Sequence, residues 1–360
     1  ADCGGGEHAA LADAVGGDSR VVTLLKQREV PNFDPTQYAS RRIIAQAPVD
    51  DLERGARGAG GHQQPALGCG ATVGVPISLV FRKDAWGAGP KPAAPMPMLL
   101  DGYGSYAYCN APYFDANILP LLDRGAIWAV AHVRGGGEMG RASWYEDGGK
   151  FERKSNTFSD FVACARALVA AEITTSDALA IEGRSAGGLL VGAVLNRADA
   201  YEYDSGGVAT KSLFAAAVAG VPFVDVMATM SDSSIPLTCG EWEEWGNPHE
   251  EKAFKDMLDY SPIDNVMPRP YPALLATAGL HDSVRRCRYR CRCRCRSLHS
   301  QSHSQSLLLL LPRARAHCLA LALLLSCSPL VSRSPPPPCL VLSPLSLSSP
   351  DHSASRIGSR

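Results

Sequence analysis

ALAIEGRSAGGLLVGAVLN, residues 178–196, changes its pattern halfway along. Residues 178–181 are a short apolar run of the length of a buried strand, and residues 186–196 are small and apolar over the length of a helix. Between them Gly183-Arg184-Ser185-Ala186-Gly187 spells G-x-S-x-G, extended by Gly188. The five-residue pattern alone is a weak signal. Its setting strengthens it, because a strand running in and a helix running out is the context in which a sharp turn holds a serine hydroxyl at the carboxyl edge of a sheet. A side chain at Gly183 or Gly187 would collide with neighbouring backbone in such a turn. A hydroxyl is a poor nucleophile until a base removes its proton, so Ser185 calls for a histidine and an orienting acid, in the chain order Ser, acid, His.

Outward from this turn the chain alternates strand and helix. VGVPISLVFR (73–82), MLL (98–100), FAAAVAGV (214–221) and ALLATA (273–278) predict strands, and AIWAVAHV (126–133) predicts a strand buried on both faces. Residues 157–171 repeat apolar side chains at helical spacing. Residues 21–46, punctuated by Pro31 and Pro35, predict short β and turn material, and residues 51–70, rich in Gly, Arg and Ala, an exposed loop. Alternating buried strands and helices predict an α/β fold with a doubly wound, mostly parallel sheet. Asp282, in GLHDS just past the strand at 273–278, lies where catalytic loops of open α/β sheets occur and is the expected acid.

Across 360 residues, 46% hydrophobic and 20% charged with a net charge of −1, the composition fits a globular protein and excludes a collagen, a mostly disordered chain or a uniformly basic nucleic-acid binder. The average hides a break at Val284. Residues 284–360 hold 12 Arg, no Lys and one acid, Asp351, whereas residues 1–283 hold 23 bases and 35 acids. An acidic body of net −12 therefore precedes a basic tail of +11. The tail strings together CRYRCRCRCR, SLHSQSHSQS, LLLLL and SPPPPC, short-period repeats with no long helix or strand pattern. It reads as translated non-coding sequence, with a disordered basic tail or a membrane or metal-binding element as alternatives. Its longest apolar stretch, residues 318–325, falls short of the roughly 20 residues a spanning helix needs. Arg interleaved with Cys287, Cys291, Cys293 and Cys295 opposes a cationic metal, and Tyr289 alone is no stacking platform for nucleic acid. No cofactor, metal, membrane or nucleic-acid partner is expected. The five cysteines before the break form no CxxC pair, so a reducing compartment is expected. Asp2, Glu7 and Asp13 in the opening segment exclude a basic-then-apolar targeting signal there, and a cytoplasmic location is the expectation.

Nine blocks in order, DGYGSY (101–106), LLDRGAIWAVAHVRGGGEMG (121–140), WYEDGGKF (144–151), NTFSDF (156–161), GRSAGG (183–188), VPFVDV (221–226), IPLTCGEWEEWGNP (235–248), YSPIDNV (260–266) and GLHDS (279–283), resemble the hydrolase domain of the prolyl oligopeptidase family, nearest its oligopeptidase B branch. The resemblance covers about residues 21–283, departs at 51–70 and carries an apparent insertion around 202–212. It implies an α/β-hydrolase domain capped by a β-propeller that admits short peptides, and peptide-bond hydrolysis through an acyl-enzyme. It assigns Ser185 as nucleophile, Asp282 as triad acid, and the Tyr103 hydroxyl with the Ala186 N–H as oxyanion donors. Phe223, Glu241 and Glu243 match positions lining the primary pocket of the basic-selective branch, which implies cleavage after Arg or Lys. A carboxylate suits that task because a guanidinium entering a pocket must replace its lost hydration. The acidic body would also attract cationic peptides.

Two departures accompany the resemblance. Some seventy residues precede the first matched hydrolase strand, fewer than two propeller blades of about 40–45 residues each, and LLKQREVPNFDPTQY (24–38) resembles only the junction leaving the propeller. The match also stops at Ser283, before the family's catalytic histidine. His317 has plausible spacing, but its neighbours Ala316 and Cys318 do not match the family's loop, while His132 and His281 fall at structural positions. The first residue is not Met, as in a fragment. The expected organisation is a junction remnant over 1–70, a C-terminally truncated hydrolase domain over 71–283, and the tail over 284–360. A serine oligopeptidase that is inactive in this form is the expectation, with an esterase or acylaminoacyl peptidase, or a non-catalytic peptide-binding fragment, as alternatives.

Overall fold

The computed structural model describes residues 29–49 and 72–278, and the backbone of 309–310. The chain divides into two compact units, Ala1–Ser326 and Cys327–Arg360, and every described residue belongs to the first. Its strands are β1 (Tyr38–Pro48), β2 (Thr72–Arg82), β3 (Met98–Asp101), β4 (Ile127–Ala131), β5 (Leu179–Arg184), β6 (Tyr201–Tyr203), β7 (Ala209–Ser212), β8 (Ala216–Gly220), β9 (Ala273–Thr277) and β10 (Leu309–Leu310). Eight of them form one sheet in the order β1-β2-β4-β3-β5-β8-β9-β10. The five strands from β4 to β9 in that order run parallel, with β2, β1 and β10 joined antiparallel at the flanks. This is the doubly wound, mostly parallel α/β sheet that the sequence predicts.

The winding reverses at β3, which has β4 on one side and β5 on the other. In open α/β sheets the crevice outside the carboxyl ends of strands at such a reversal is where ligands bind. Two helices pack beside it, α1 (Ser155–Ala170) and α2 (Ala186–Asn196). The main core lies on their side of the sheet and joins Met98, Leu100, Ile127, Ile181 and Ala219 to Phe158, Phe161, Leu189 and Leu190. Small residues let α2 come close: a Cβ on Gly188 would stand 2.6 Å from Pro222, and one on Gly192 2.9 Å from Pro262. A buried ion pair fixes α1 to the loop after β4, because Asp160 accepts the Arg134 backbone N–H at 2.9 Å and its guanidinium at 2.9 and 2.7 Å.

The boundaries of α2 match the sequence expectation, and β2, β3, β5, β8 and β9 form where expected. Three elements differ. Residues 126–133 are buried fully on one face only: Ile127, Ala129 and Ala131 are buried, while Trp128 and Val130 are half-buried. Among the described residues the second face carries the smaller cluster of Leu99, Leu121, Ala126, Ala180 and Ala216. Tyr38–Pro48 is an eleven-residue strand rather than short β and turn material. It is a sheet edge, and edges carry charges such as Arg41 and Arg42 that interrupt an apolar pattern. The insertion around 202–212 is the hairpin β6–β7, turned by Asp204, whose Oδ1 accepts from the N–H groups of Gly206 and Val208 at 2.9 Å. The loop expected at 51–70 lies outside the described residues.

Candidate active site

Ser185 follows β5 and caps α2, with φ 65° and ψ −118°. A non-glycine residue in that region is strained by about 1–3 kcal/mol and persists only where its surroundings hold it. The hold is visible on both sides. The Ser185 N–H donates to Gly220 O at 2.8 Å, and Ser185 O accepts from Gly188, Leu189 and Phe223 at 3.0–3.3 Å. The glycines around the serine behave as the sequence predicts: a Cβ on Gly183 would sit 2.1 Å from Gly187 O, and one on Gly187 2.7 Å from Gly102 O.

The loop after β3 brings Tyr103 to the same edge, where its ring would lie 3.5 Å from a Cβ on Gly187. That loop is pinned from beneath by α1. Lys154 Nζ donates to Gly104 O and to Ser105 Oγ, both at 2.7 Å, and Thr157 Oγ1 reaches Gly104 O at 3.3 Å. Tyr106 then adopts φ 58° and turns its hydroxyl toward a third element, α3 (Thr238–Trp245).

An open cleft of about 350 Å³, its solvent-filled mouth included, joins these parts, lined by Tyr106, Ala186, Phe223, Met230, Thr238 and Glu241 among others. Ala186 thus faces the same space as Glu241. Glu241 Oε2 accepts the Tyr106 hydroxyl at 2.5 Å and the Trp245 indole N–H at 2.9 Å. Burial of that hydroxyl, together with the Glu241 carboxylate, raises the Tyr106 phenol above its ordinary pKa. Phe223 is buried against Trp245, with ring centroids 5.5 Å apart.

Glu243 does not join this group. It is exposed and absent from the cleft lining. Two residues along a helix is a turn of about 200°, so Glu241 and Glu243 cannot share a face. The acid that shares a face with Glu241 is Glu244, three residues on, which the sequence reading did not nominate. It is 2% exposed and accepts from Tyr145 Oη at 2.6 Å, the Tyr106 N–H at 3.1 Å and Lys154 Nζ at 3.2 Å. Burial pulls the Lys154 pKa down and Glu244 pulls it partly back, with a net lowering.

Asp282, His281 and His317 lie outside the described residues. His132 is buried, with Nε2 2.8 Å from Ser78 Oγ and Nδ1 3.3 Å from Glu138 Oε1. Burial raises the Glu138 pKa, but hydrogen bonds from His132 and the Asn110 N–H outweigh it and leave it lowered. His132 therefore serves the packing around β2 and β4. Among the described residues no group of three or more His, Cys, Asp or Glu could hold a metal ion, and no helix is long and apolar enough to cross a membrane.

The parallel sheet, its winding reversal and the strained serine turn define an α/β-hydrolase. The family model of the prolyl oligopeptidase family matches residues 112–291, and the chain belongs to that family. "Protease 2" of Moraxella lacunata is 46% identical over 210 residues, 58% of this chain and 28% of that protein. "Dipeptidyl aminopeptidase BI" of Pseudoxanthomonas mexicana is 40% identical over 259 residues, 72% of this chain and 30% of that protein. Among solved structures, oligopeptidase B of Leishmania major matches with a TM-score of 0.59 and 48% identity, covering 72% of this chain and 31% of that one. Oligopeptidase B of Trypanosoma brucei, in a closed form with covalently bound antipain, matches with a TM-score of 0.57 and 50% identity, covering 71% and 30%. The chain thus spans about 30% of the length of these relatives.

Proposed function

We propose that this domain is the catalytic part of a serine oligopeptidase that cleaves short peptides after Arg or Lys. The observation that carries the proposal is a single cleft joining the serine turn, through Ala186, to a carboxylate, Glu241, held by Tyr106 and Trp245. Ser185 attacks the scissile carbonyl, its proton passing to a histidine oriented by Asp282. The Ala186 N–H and the Tyr103 hydroxyl donate to the oxyanion, whose charge develops only in the transition state. The substrate's guanidinium or ammonium pairs with Glu241, and Phe223 packs along its aliphatic stem. The resemblance of Phe223 and Glu241 to the pocket of the basic-selective branch supports this choice of side chain, and the covalently bound antipain in the trypanosomal relative accords with a nucleophilic mechanism.

The test is kinetic, in a form of the enzyme completed with the family's histidine-bearing segment. Glu241→Gln should lower kcat/KM for Arg substrates by roughly 30- to 1000-fold and leave neutral substrates nearly unchanged. Arg selectivity equal to that of the parent would overturn the assignment. An esterase would instead hydrolyse an uncharged ester as readily as an arginyl one.

A further inference from the structure

Glu241 can pair with a substrate cation only if its carboxylate stays at the cleft wall, and the described residues contain a device that keeps it there. Among the described residues, both hydrogen bonds to the Glu241 carboxylate fall on one oxygen, Oε2, so Oε1 is the oxygen offered to a ligand. The Tyr106 hydroxyl that supplies one of them sits on a loop with two consecutive residues in the left-handed region, Tyr106 at φ 58° and Ala107 at φ 53°. Neither is glycine, so the loop does not hold this shape by its own preference. What holds it at Tyr106 is Glu244, which accepts the Tyr106 N–H at 3.1 Å from one turn beyond Glu241 on the same helix.

Glu244 is itself fixed from below. Lys154 Nζ, 1% exposed, bonds Glu244 Oε1 at 3.2 Å together with Gly104 O and Ser105 Oγ of the same loop, and stands 4.8 Å over the Trp245 ring. Tyr145 Oη holds the second oxygen, Glu244 Oε2, at 2.6 Å. The loop and the helix that together present Glu241 are therefore tied at one buried carboxylate. We propose that Glu244, seated by Lys154 and Tyr145, is a positioning residue for specificity: it sets the Tyr106 loop against α3 so that the Tyr106 hydroxyl clamps Glu241 for the substrate cation. The proposal rests on the assignment of Glu241 above. It gives the two acids of this helix face different tasks, Glu241 meeting the ligand and Glu244 acting through Tyr106. Lys154 balances the charge of Glu244, and among the described residues lining the cleft Glu241 is the charged one.

The experiment uses the full 360-residue chain and reads binding rather than turnover. The probes are N-acetyl-arginine amide and its uncharged isostere N-acetyl-citrulline amide, titrated by tryptophan fluorescence, since Trp245 bonds Glu241 directly. Glu244→Gln and the milder Tyr145→Phe should each weaken the arginine probe, by about tenfold and threefold, while citrulline binding stays within twofold of the parent. Tyr106→Phe, which deletes the clamp alone, should match Glu244→Gln and add little when combined with it. Equal weakening of both probes would make Glu244 a merely structural residue and overturn the proposal, as would unchanged arginine affinity in Tyr145→Phe and Glu244→Gln. If Glu244→Gln does not fold, Tyr145→Phe and Tyr106→Phe decide by the same comparison. Glu241→Gln separates the two levels: no loss of arginine preference there would overturn the cleft assignment and this inference with it, whereas its loss there but not in the Glu244, Tyr145 and Tyr106 variants would overturn this inference alone.

Discussion

Asp101 and Glu182 stand opposite each other in register at the carboxyl ends of β3 and β5, three positions before the strained serine. Neighbours in a parallel pair point to the same face, so two carboxylates share one partly buried site. Burial and the charge of Glu182 push Asp101 up to about 7, and burial raises Glu182 as well.

The pH dependence of stability follows with a definite sign. An acid whose native pKa lies above its unfolded value holds its proton longer in the folded state, so its contribution is full at low pH and declines as pH rises. For Asp101 the decline should run from about pH 4 to about pH 7, opposite to that of a salt-bridged carboxylate. Three pKa units correspond to at most about 4 kcal/mol, less when the pair shares its titration. Asp101→Asn, a mimic of the protonated acid, should flatten this segment of the profile and exceed the parent at pH 8. Urea midpoints of both proteins from pH 4 to pH 8 check it, and a parent-minus-variant stability that fails to fall through that window contradicts the assignment.

Glycine substitutions should separate steric from conformational roles. Gly183→Ala places a methyl 2.1 Å from Gly187 O and 2.5 Å from its carbonyl carbon, backbone atoms that cannot rotate away, and should cost at least about 3 kcal/mol. Gly125, at φ 80° with open space around it, should lose only about 1 kcal/mol as Ala. Gly240 lies inside α3, beside Glu241, with nothing near its missing Cβ and no positive φ. Gly240→Ala should therefore stabilise by about 0.5–1 kcal/mol. Chemical denaturation of the three variants would rank them, and a stable Gly183→Ala would contradict the close approach of β5 and α2.

The buried pair beneath the cleft should show strong coupling. Lys154→Met leaves Glu244 charged and nearly inaccessible, and losing one member of such a pair costs about 3–5 kcal/mol. Adding Glu244→Gln removes the stranded charge and should recover at least about 1 kcal/mol. A double variant as unstable as the sum of the singles would mean that the ion pair contributes nothing specific.

What was legible in the sequence follows the range of the interaction behind it. The serine turn could be read because its strand, glycines and helix are contiguous, and α2 spans the predicted residues. Glu241 is nominated by the family resemblance, which offers Glu243 beside it, and only the helical phase of α3 shows that Glu244 is the buried neighbour. The Tyr106 clamp joins residues 135 positions apart, and the Asp101–Glu182 pair depends on the register of two strands that have β4 and α1, among other elements, between them in the chain. Neither leaves a local pattern. β1 is longer than its sequence pattern suggests because an edge strand carries Arg41 and Arg42 where a central strand would be apolar. Val221 at φ 43°, hydrogen-bonded through its N–H to Thr277 O at 2.6 Å, was equally invisible, since a β-branched residue is among the last expected there.

The two histidines among the described residues are occupied elsewhere, His132 with Ser78 and Glu138 and His249 against the Trp242 ring at 5.6 Å. The quoted blocks run to Ser283 and the family model's match to residue 291, and His317 lies beyond both, between Ala316 and Cys318. Attack would then proceed from an unactivated hydroxyl, and removing a triad member typically lowers kcat by about 10⁴- to 10⁶-fold even with oxyanion donors in place. Hydrolysis of an Arg-containing fluorogenic peptide by this chain should therefore not exceed that of a Ser185→Ala control. Turnover well above the control and abolished by His317→Ala would instead identify His317 as the base and the tail as part of the enzyme.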